Sequence, residues 1–146
     1  MHLPNEAWVV VADGEKYLIL ENRGDEEILD LRVREVEDID VPATHEAGTE
    51  RPGRYPGGGG GRRSAVDQTD WKAIGKADFA THLAGHLDKA AAKGRFKTFV
   101  LMADARTMGV LRQHLKPETL DLLRADLVGD HVHQRMEDIE KAIRDA

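Results

Sequence analysis

Residues 7–20 read Ala7-Trp8-Val9-Val10-Val11-Ala12-Asp13-Gly14-Glu15-Lys16-Tyr17-Leu18-Ile19-Leu20, and the fold turns on this stretch. Ala7 to Ala12 is apolar without a break, which predicts a buried strand. Asp13-Gly14 ends the run with a pair that favours positive φ, a hairpin signal. Tyr17 to Leu20 follows at hairpin distance as a second strand. Asn22-Arg23-Gly24-Asp25 is a second turn signal. From Ile28 to Val36 the chain alternates, with Leu29, Leu31 and Val33 set against Asp30, Arg32 and Arg34. Ile28 at the entry and Glu35 at the exit break the pattern. Such alternation predicts a half-buried strand, apolar face inward and charged face wet. The first 36 residues therefore predict a three-stranded antiparallel meander.

Working toward the C-terminus, residues 37–70 show no period. They contain Pro42, Pro52, Pro56, Gly48, Gly53 and the run Gly57 to Gly61. This predicts a long mobile loop, a kind usually functional or disordered. Asp70 can cap a helix starting near Trp71. Ile74, Ala77, Ala80, Leu83, Ala84, Leu87 and Ala91 then recur at helical spacing. Lys93-Gly94 gives a basic last turn and a glycine stop. Phe96 to Ala103 predicts another buried strand. Met108 to Leu115 predicts a short helix with Thr107 as its cap, and Pro117 starts a further helical turn. Leu122 to Val128 predicts a last strand. Gln134 to Arg144, carrying Met136, Ile139, Ala142 and Ile143, predicts an amphipathic terminal helix. The order βββ, long Gly loop, αβαβα specifies an α/β fold with a mixed sheet. A length of 146 residues suits one domain over residues 1–146.

The chain has no cysteine, which excludes disulfides, thiolate metal sites and a cysteine nucleophile. No apolar run approaches the roughly 20 residues of a membrane span. Met1 to Glu6 lack a basic start and apolar stretch, so no signal peptide and a cytoplasmic location are expected. The net charge of −6 is unevenly spread. Residues 51–97 hold ten Lys/Arg and four Asp/Glu, +6, and the remainder carries −12. A uniformly basic nucleic-acid binder is excluded. A local contact is not, because fields are screened within roughly 10 Å.

Four arginines and no acid lie between residues 51 and 66: Arg51, Arg54, Arg62 and Arg63. Arginine presents a planar fork that matches phosphate. Gly60 and Gly61 permit close backbone approach, and Tyr55 can stack on a base. This pattern reads as an RNA or phosphate contact, or as a solubilising linker. No Gly-Lys-Ser/Thr closes it as a P-loop, and no strand leads directly into the glycines. Arg106 sits at a strand-to-helix junction, where an anion finds a helix N-terminus. It can hold a phosphate there or pair with Asp104. Asp13 and Asp104 fall after two predicted strands, where carboxylates hold Mg²⁺ or act as acid and base. Turn and cap chemistry uses Asp equally well and is the preferred reading. His82 and His86 share a helix face, but Leu83 stands where a metalloprotease motif needs Glu. They read as solvated surface histidines, as do His131 and His133. No metal site, cofactor or catalytic residue is predicted. The strand over 28–36 can also pair with a second copy as a homodimer edge. Its face bearing Asp30, Arg32 and Arg34 is a candidate protein-binding surface.

Trp8 to Asp13, Arg51-Pro52-Gly53-Arg54, Phe79-Ala80, Leu83-Ala84, Phe99 to Ala103, Arg106 and Gly109 to Arg112 occur in an order that resembles the bacterial host attachment protein family. That family is described as required for attachment to host cells. It is similar in turn to the middle domain of archaeal and eukaryotic class-1 peptide release factors. Gly129-Asp130-His131 departs from the Lys-Asp-Leu that members carry there. The resemblance implies a ribonuclease-H-like, translation-component fold, with contact to ribosomal or transfer RNA and an indirect effect on attachment. In the release factor a Gly-Gly-Gln loop helps water cleave peptidyl-tRNA. Gly60-Gly61-Arg62 stands at that place here, so the resemblance implies binding rather than hydrolysis. A release-factor-type hydrolase and a metal-dependent nuclease using Asp13 and Asp104 are the enzymatic alternatives.

Overall fold

The structure, a computed structural model, describes residues 1–38 and 76–146. The predicted loop arginines, Tyr55, Gly60 and Gly61 lie outside the described residues, as do Asp70, Trp71 and Ile74. Among the described residues five strands form one sheet: β1 (Trp8–Ala12), β2 (Lys16–Asn22), β3 (Leu31–Asp38), β4 (Phe99–Ala103) and β5 (Leu123–Val128). The helices are α1 (Lys76–Ala92), α2 (Ala105–His114), α3 (Pro117–Leu120) and α4 (Met136–Asp145). Strand order is β3-β2-β1-β4-β5. The pairs β1–β2 and β2–β3 are antiparallel, whereas β1–β4 and β4–β5 are parallel. The mixed sheet expected from the sequence is therefore present.

The unbroken apolar runs are explained by the two layers that cover the sheet. Trp8, Val10, Phe99 and Leu101 face a core closed by α1 and α2 through Phe79, Leu83 and Leu111. Val9, Val11, Val100 and Met102 face the opposite core, closed by Ile139 and Ile143 of α4. A strand covered on both faces cannot alternate with polar residues. The amphipathic stripes of α1 and α4 follow the predicted positions, apart from Ile74, which lies outside the described residues, and Ala77, whose side chain is likewise not described.

Helix ends follow local hydrogen bonding. Gly94 takes φ +72. Its N–H donates to Ala91 O at 3.0 Å, and that of Arg95 donates to Ala90 O at 3.0 Å. This is the two-bond closure that a left-handed residue after a helix permits. Met108 to Leu115 is the predicted core of α2, but the helix begins earlier, at Ala105. Its cap is Asp104, whose carboxylate accepts from Thr107 N at 3.2 Å. Thr107 is itself helical and buried. Strand β4 ends at Ala103, so Asp104 is the first residue free to cap. Asp88 of α1 accepts from Lys116 N at 3.1 Å and Thr119 Oγ1 at 2.6 Å, fixing α3. Strand β4 starts at Phe99 rather than Phe96, although Phe96 is buried against Trp8 with ring centroids 4.6 Å apart.

The third strand departs most from expectation. It spans Leu31–Asp38, not 28–36. Asn22 and Asp25 capture the intervening backbone. The buried Asn22 Oδ1 accepts from Gly24 N and Asp30 N, both at 3.0 Å, and its Nδ2 donates to Leu3 O at 2.9 Å. Asp25 Oδ1 accepts from Glu27 N at 2.9 Å and Ile28 N at 2.8 Å. Those bonds hold its carboxyl below the ordinary value. Glu37 and Asp38, expected in the loop, belong to β3, while residues 39–70 of that loop lie outside the described residues. The expected faces of β3 hold from Leu31 to Arg34 and swap at Glu35 and Val36, and the apolar face is not buried beyond Leu31. Val33 and Val36 are 52% and 48% exposed. Arg34 instead lies 5.1 Å over the buried Trp8 ring and bonds Glu21 at 3.3 Å. The register shifts between Ile19 and Leu20, which face Glu35 and Val33, so Arg34 is an extra residue. A bulge of this kind breaks the period of two on which the sequence reading relied.

Candidate functional site

The two central parallel strands end together, Ala12 opposite Ala103. Beyond them the chain diverges. β1 turns back through Asp13–Glu15 into β2, whereas β4 runs into α2. Divergence at the carboxyl ends of adjacent parallel strands opens a crevice. Here it is a cavity of about 240 Å³ lined by Asp13, Gly14, Glu15, Asp104, Arg106 and Ala80 of α1 among others.

Asp13 is engaged in the hairpin. Its Oδ1 accepts from Glu15 N at 2.7 Å and Lys16 N at 2.8 Å. Its Oδ2 lies 3.9 Å from His133 Nε2. Asp104 is engaged as the α2 cap through Oδ2. Its Oδ1 is buried and has no hydrogen-bond partner among the described residues. Both acids therefore do the turn and cap work expected of them. Among the described residues no group of three or more His, Asp or Glu is placed to hold a metal ion. Arg106 does not pair with Asp104. It is exposed in the first turn of α2, with no ion pair among the described residues. Three carboxylates around it make the cavity interior a poor seat for an anion. Arg106 itself is a cation at the rim, beside a helix N-terminus.

The remaining predicted contacts, Arg51, Arg54, Tyr55, Gly60, Gly61, Arg62 and Arg63, lie outside the described residues. Their points of departure and return do not. Asp38 pairs with Lys16, next to the Asp13–Glu15 hairpin. Residue 76 opens α1, whose Ala80 lines the cavity. Asp38 and residue 76, the described residues that flank segment 39–75, thus lie at the same end as Arg106.

The histidines need correction. His86 is not a free surface group: its Nε2 lies 2.8 Å from Glu35 Oε1, and its ring stacks 6.3 Å from Tyr17. His82 stacks 6.5 Å from His86. Partial burial, then His86, then Lys89 hold the His82 imidazole below its ordinary value. Burial, followed by the charges of Glu37 and Glu35, pushes the Tyr17 phenol far up. The one sequence hint of this cluster was Glu35, which interrupts the expected apolar series.

The family model described as bacterial archaeo-eukaryotic release factor family 12 matches residues 6–143. One solved structure, described as an archaeal protein, is 14% identical with TM-score 0.48, covering 96% of this chain and 33% of its own. The crystal structure of archaeal translation termination factor, aRF1, is 11% identical with TM-score 0.41, covering 95% of this chain and 39% of its own. The chain therefore spans between a third and two-fifths of these solved chains. No curated protein matches it. The release-factor likeness expected from the sequence is present in the matching family, while the host-attachment likeness rests on the quoted residues alone.

Proposed function

From the premise that the chain belongs to bacterial archaeo-eukaryotic release factor family 12, we propose that it is a cytoplasmic domain that binds ribosomal or transfer RNA. Arg51, Arg54, Arg62 and Arg63 hold phosphates, Gly60 and Gly61 allow close backbone approach, and Tyr55 stacks. Arg106 adds a contact from the cavity rim. The observation that carries this reading is the placement of Arg106. It is an exposed guanidinium without an ion pair among the described residues, at the end where Asp38 and residue 76, which flank segment 39–75, lie. The +6 of residues 51–97 supports it. An effect on attachment to host cells follows indirectly, through translation.

Binding precedes any chemistry in this reading, because Arg62 occupies the place of the release-factor glutamine. Ribosome and RNA binding is measured for the native chain and for a variant with Arg51, Arg54, Arg62 and Arg63 all changed to Ala. The log affinity of the native chain should fall linearly as log salt rises, by about 0.7–0.9 per phosphate contacted. The variant should bind weakly with a flatter slope, and equal binding by both would sink the proposal. Cleavage of peptidyl-tRNA by the native chain on ribosomes would replace it with a release-factor-type hydrolase.

A further inference from the structure

We infer that the outer edge of β3 is the dimerisation edge of this protein, pairing antiparallel with β3 of a second copy. β3 is the outermost strand on its side, and among the described residues its outer edge pairs with no other strand. Two apolar side chains, Val33 and Val36, stand half exposed on it. Residues three apart in a regular strand point to opposite faces. The bulge at Arg34 removes that obstacle. Val33 is opposite Leu20 and Val36 opposite Leu18, so both valines share the face that α4 partly covers. Arg32, Arg34, Glu35 and Glu37 share the other face, opposite or beside Glu21, Trp8, Ile19 and Tyr17.

The strand is consequently complementary to itself. A two-fold axis between Arg34 and Glu35 brings Val33 of one copy opposite Val36 of the other. The same axis brings Arg32 opposite Glu37, and each contact occurs twice. An isologous interface requires this self-complementarity. Both bases precede the acids along β3, so antiparallel self-pairing is attractive and parallel self-pairing repulsive. Charged side chains and bulges ordinarily keep an edge from pairing. Here the order of charges and the position of the bulge admit one partner, the same strand reversed. Arg32 is exposed, and among the described residues its guanidinium bonds only Asp30, two positions away, at 3.0 Å, so it can turn to a second copy. Two such sheets would join into one of ten strands. β5, the opposite edge, engages Asp126 with Arg112 at 2.7 Å and is not the edge inferred.

Sedimentation of the full chain across a micromolar dilution series tests this, with folding of every variant checked by circular dichroism. The native chain should form a concentration-dependent dimer. Arg32→Glu should weaken it about tenfold or more, since like charges then face each other twice. Glu37→Arg should do the same, and the double variant Arg32→Glu/Glu37→Arg should restore the dimer. Val36→Lys should abolish it, and Arg124→Glu on β5 should leave it unchanged. A native chain that stays monomeric throughout overturns the inference. So does a double variant that fails to recover, or a dimer lost through Arg124→Glu instead. The four-arginine variant used for RNA binding should dimerise normally, which separates this interface from the proposed RNA contact.

Discussion

His86 Nε2 stands 2.8 Å from Glu35 Oε1, a bond between α1 and β3 that spans 51 residues of sequence. Both side chains are about one-third exposed, so solvent screens the pair. A double-mutant cycle of Glu35→Gln and His86→Gln, read by urea denaturation, should give a coupling of about 0.3–1 kcal/mol. Coupling indistinguishable from zero would mean that the bond does not tie the two elements in solution.

His82 sets a pH dependence. Its folded-state value is held below 6.5 by partial burial and by its neighbours His86 and Lys89. The unfolded chain therefore takes up the proton more readily than the folded one. The contribution is complete above that value and is lost as pH falls through the folded one. Melting temperatures of the native chain and His82→Gln, taken from pH 8 down to pH 5, should show the native chain losing more stability. Parallel curves would contradict this.

Asn22 is the most connected polar side chain of the β2–β3 turn. It is buried, donates to Leu3 O, and accepts from Gly24 N and Asp30 N. Replacing it with Leu leaves those groups unpaired, at a cost of about 2–4 kcal/mol. Asn5→Ala, which removes one exposed bond to Gly24 O, should cost below about 1 kcal/mol. Equal losses in thermal denaturation would refute this ranking.

The same substitution, glycine to alanine, should change sign with position. Gly109 lies inside α2, and the space a Cβ would take there has nothing within 4 Å, so Ala should stabilise by about 1 kcal/mol. Gly94, at φ +72, should lose about 1 kcal/mol. At Gly24 a Cβ would collide with the Ile28 carbonyl oxygen, and the turn must rearrange, so the loss should be the largest of the three. Denaturant midpoints rank the three variants directly.

Arg106 and Asp104 are two residues apart and should behave oppositely. Asp104→Ala removes the α2 cap and should cost about 1 kcal/mol of stability. Arg106→Ala should alter stability by less than about 0.5 kcal/mol. It should weaken ribosome binding and lower the salt slope by about one contact. An Arg106 variant with native binding would remove this residue from the RNA contact.

Much of this fold was readable because its strongest signals are local. Val9 to Val11 and Val100 to Met102 are uninterrupted because layers cover both faces of the central strands. Gly94 closes α1 because only its backbone fits a left-handed turn cheaply. The β3 faces were misread past Arg34 because alternation counts residues evenly, and Arg34 is an uncounted one. The Glu35–His86 bond was illegible because no spacing rule connects positions on different elements. Asp104 and Thr107 both stood as caps of α2, because the end of β4 was not known to the residue. Of the predicted RNA contacts only Arg106 is described, and the sequence offered Asp104 both as its partner and as a cap without ranking the two at this junction; α2 claims the carboxylate.

The parallel pairing of β1 with β4 has a consequence for synthesis. Trp8 lies opposite Phe99, 91 residues later in the chain. At about 5–20 residues per second, β1 waits about 5–18 s for its second neighbour. Throughout that interval the meander presents Val9, Val10 and Val11 along an open, wholly apolar strand edge. Chains truncated before Phe99 should therefore aggregate or recruit chaperones, whereas chains extended past Val128 should not, giving this protein a vulnerable period that ends when β4 emerges.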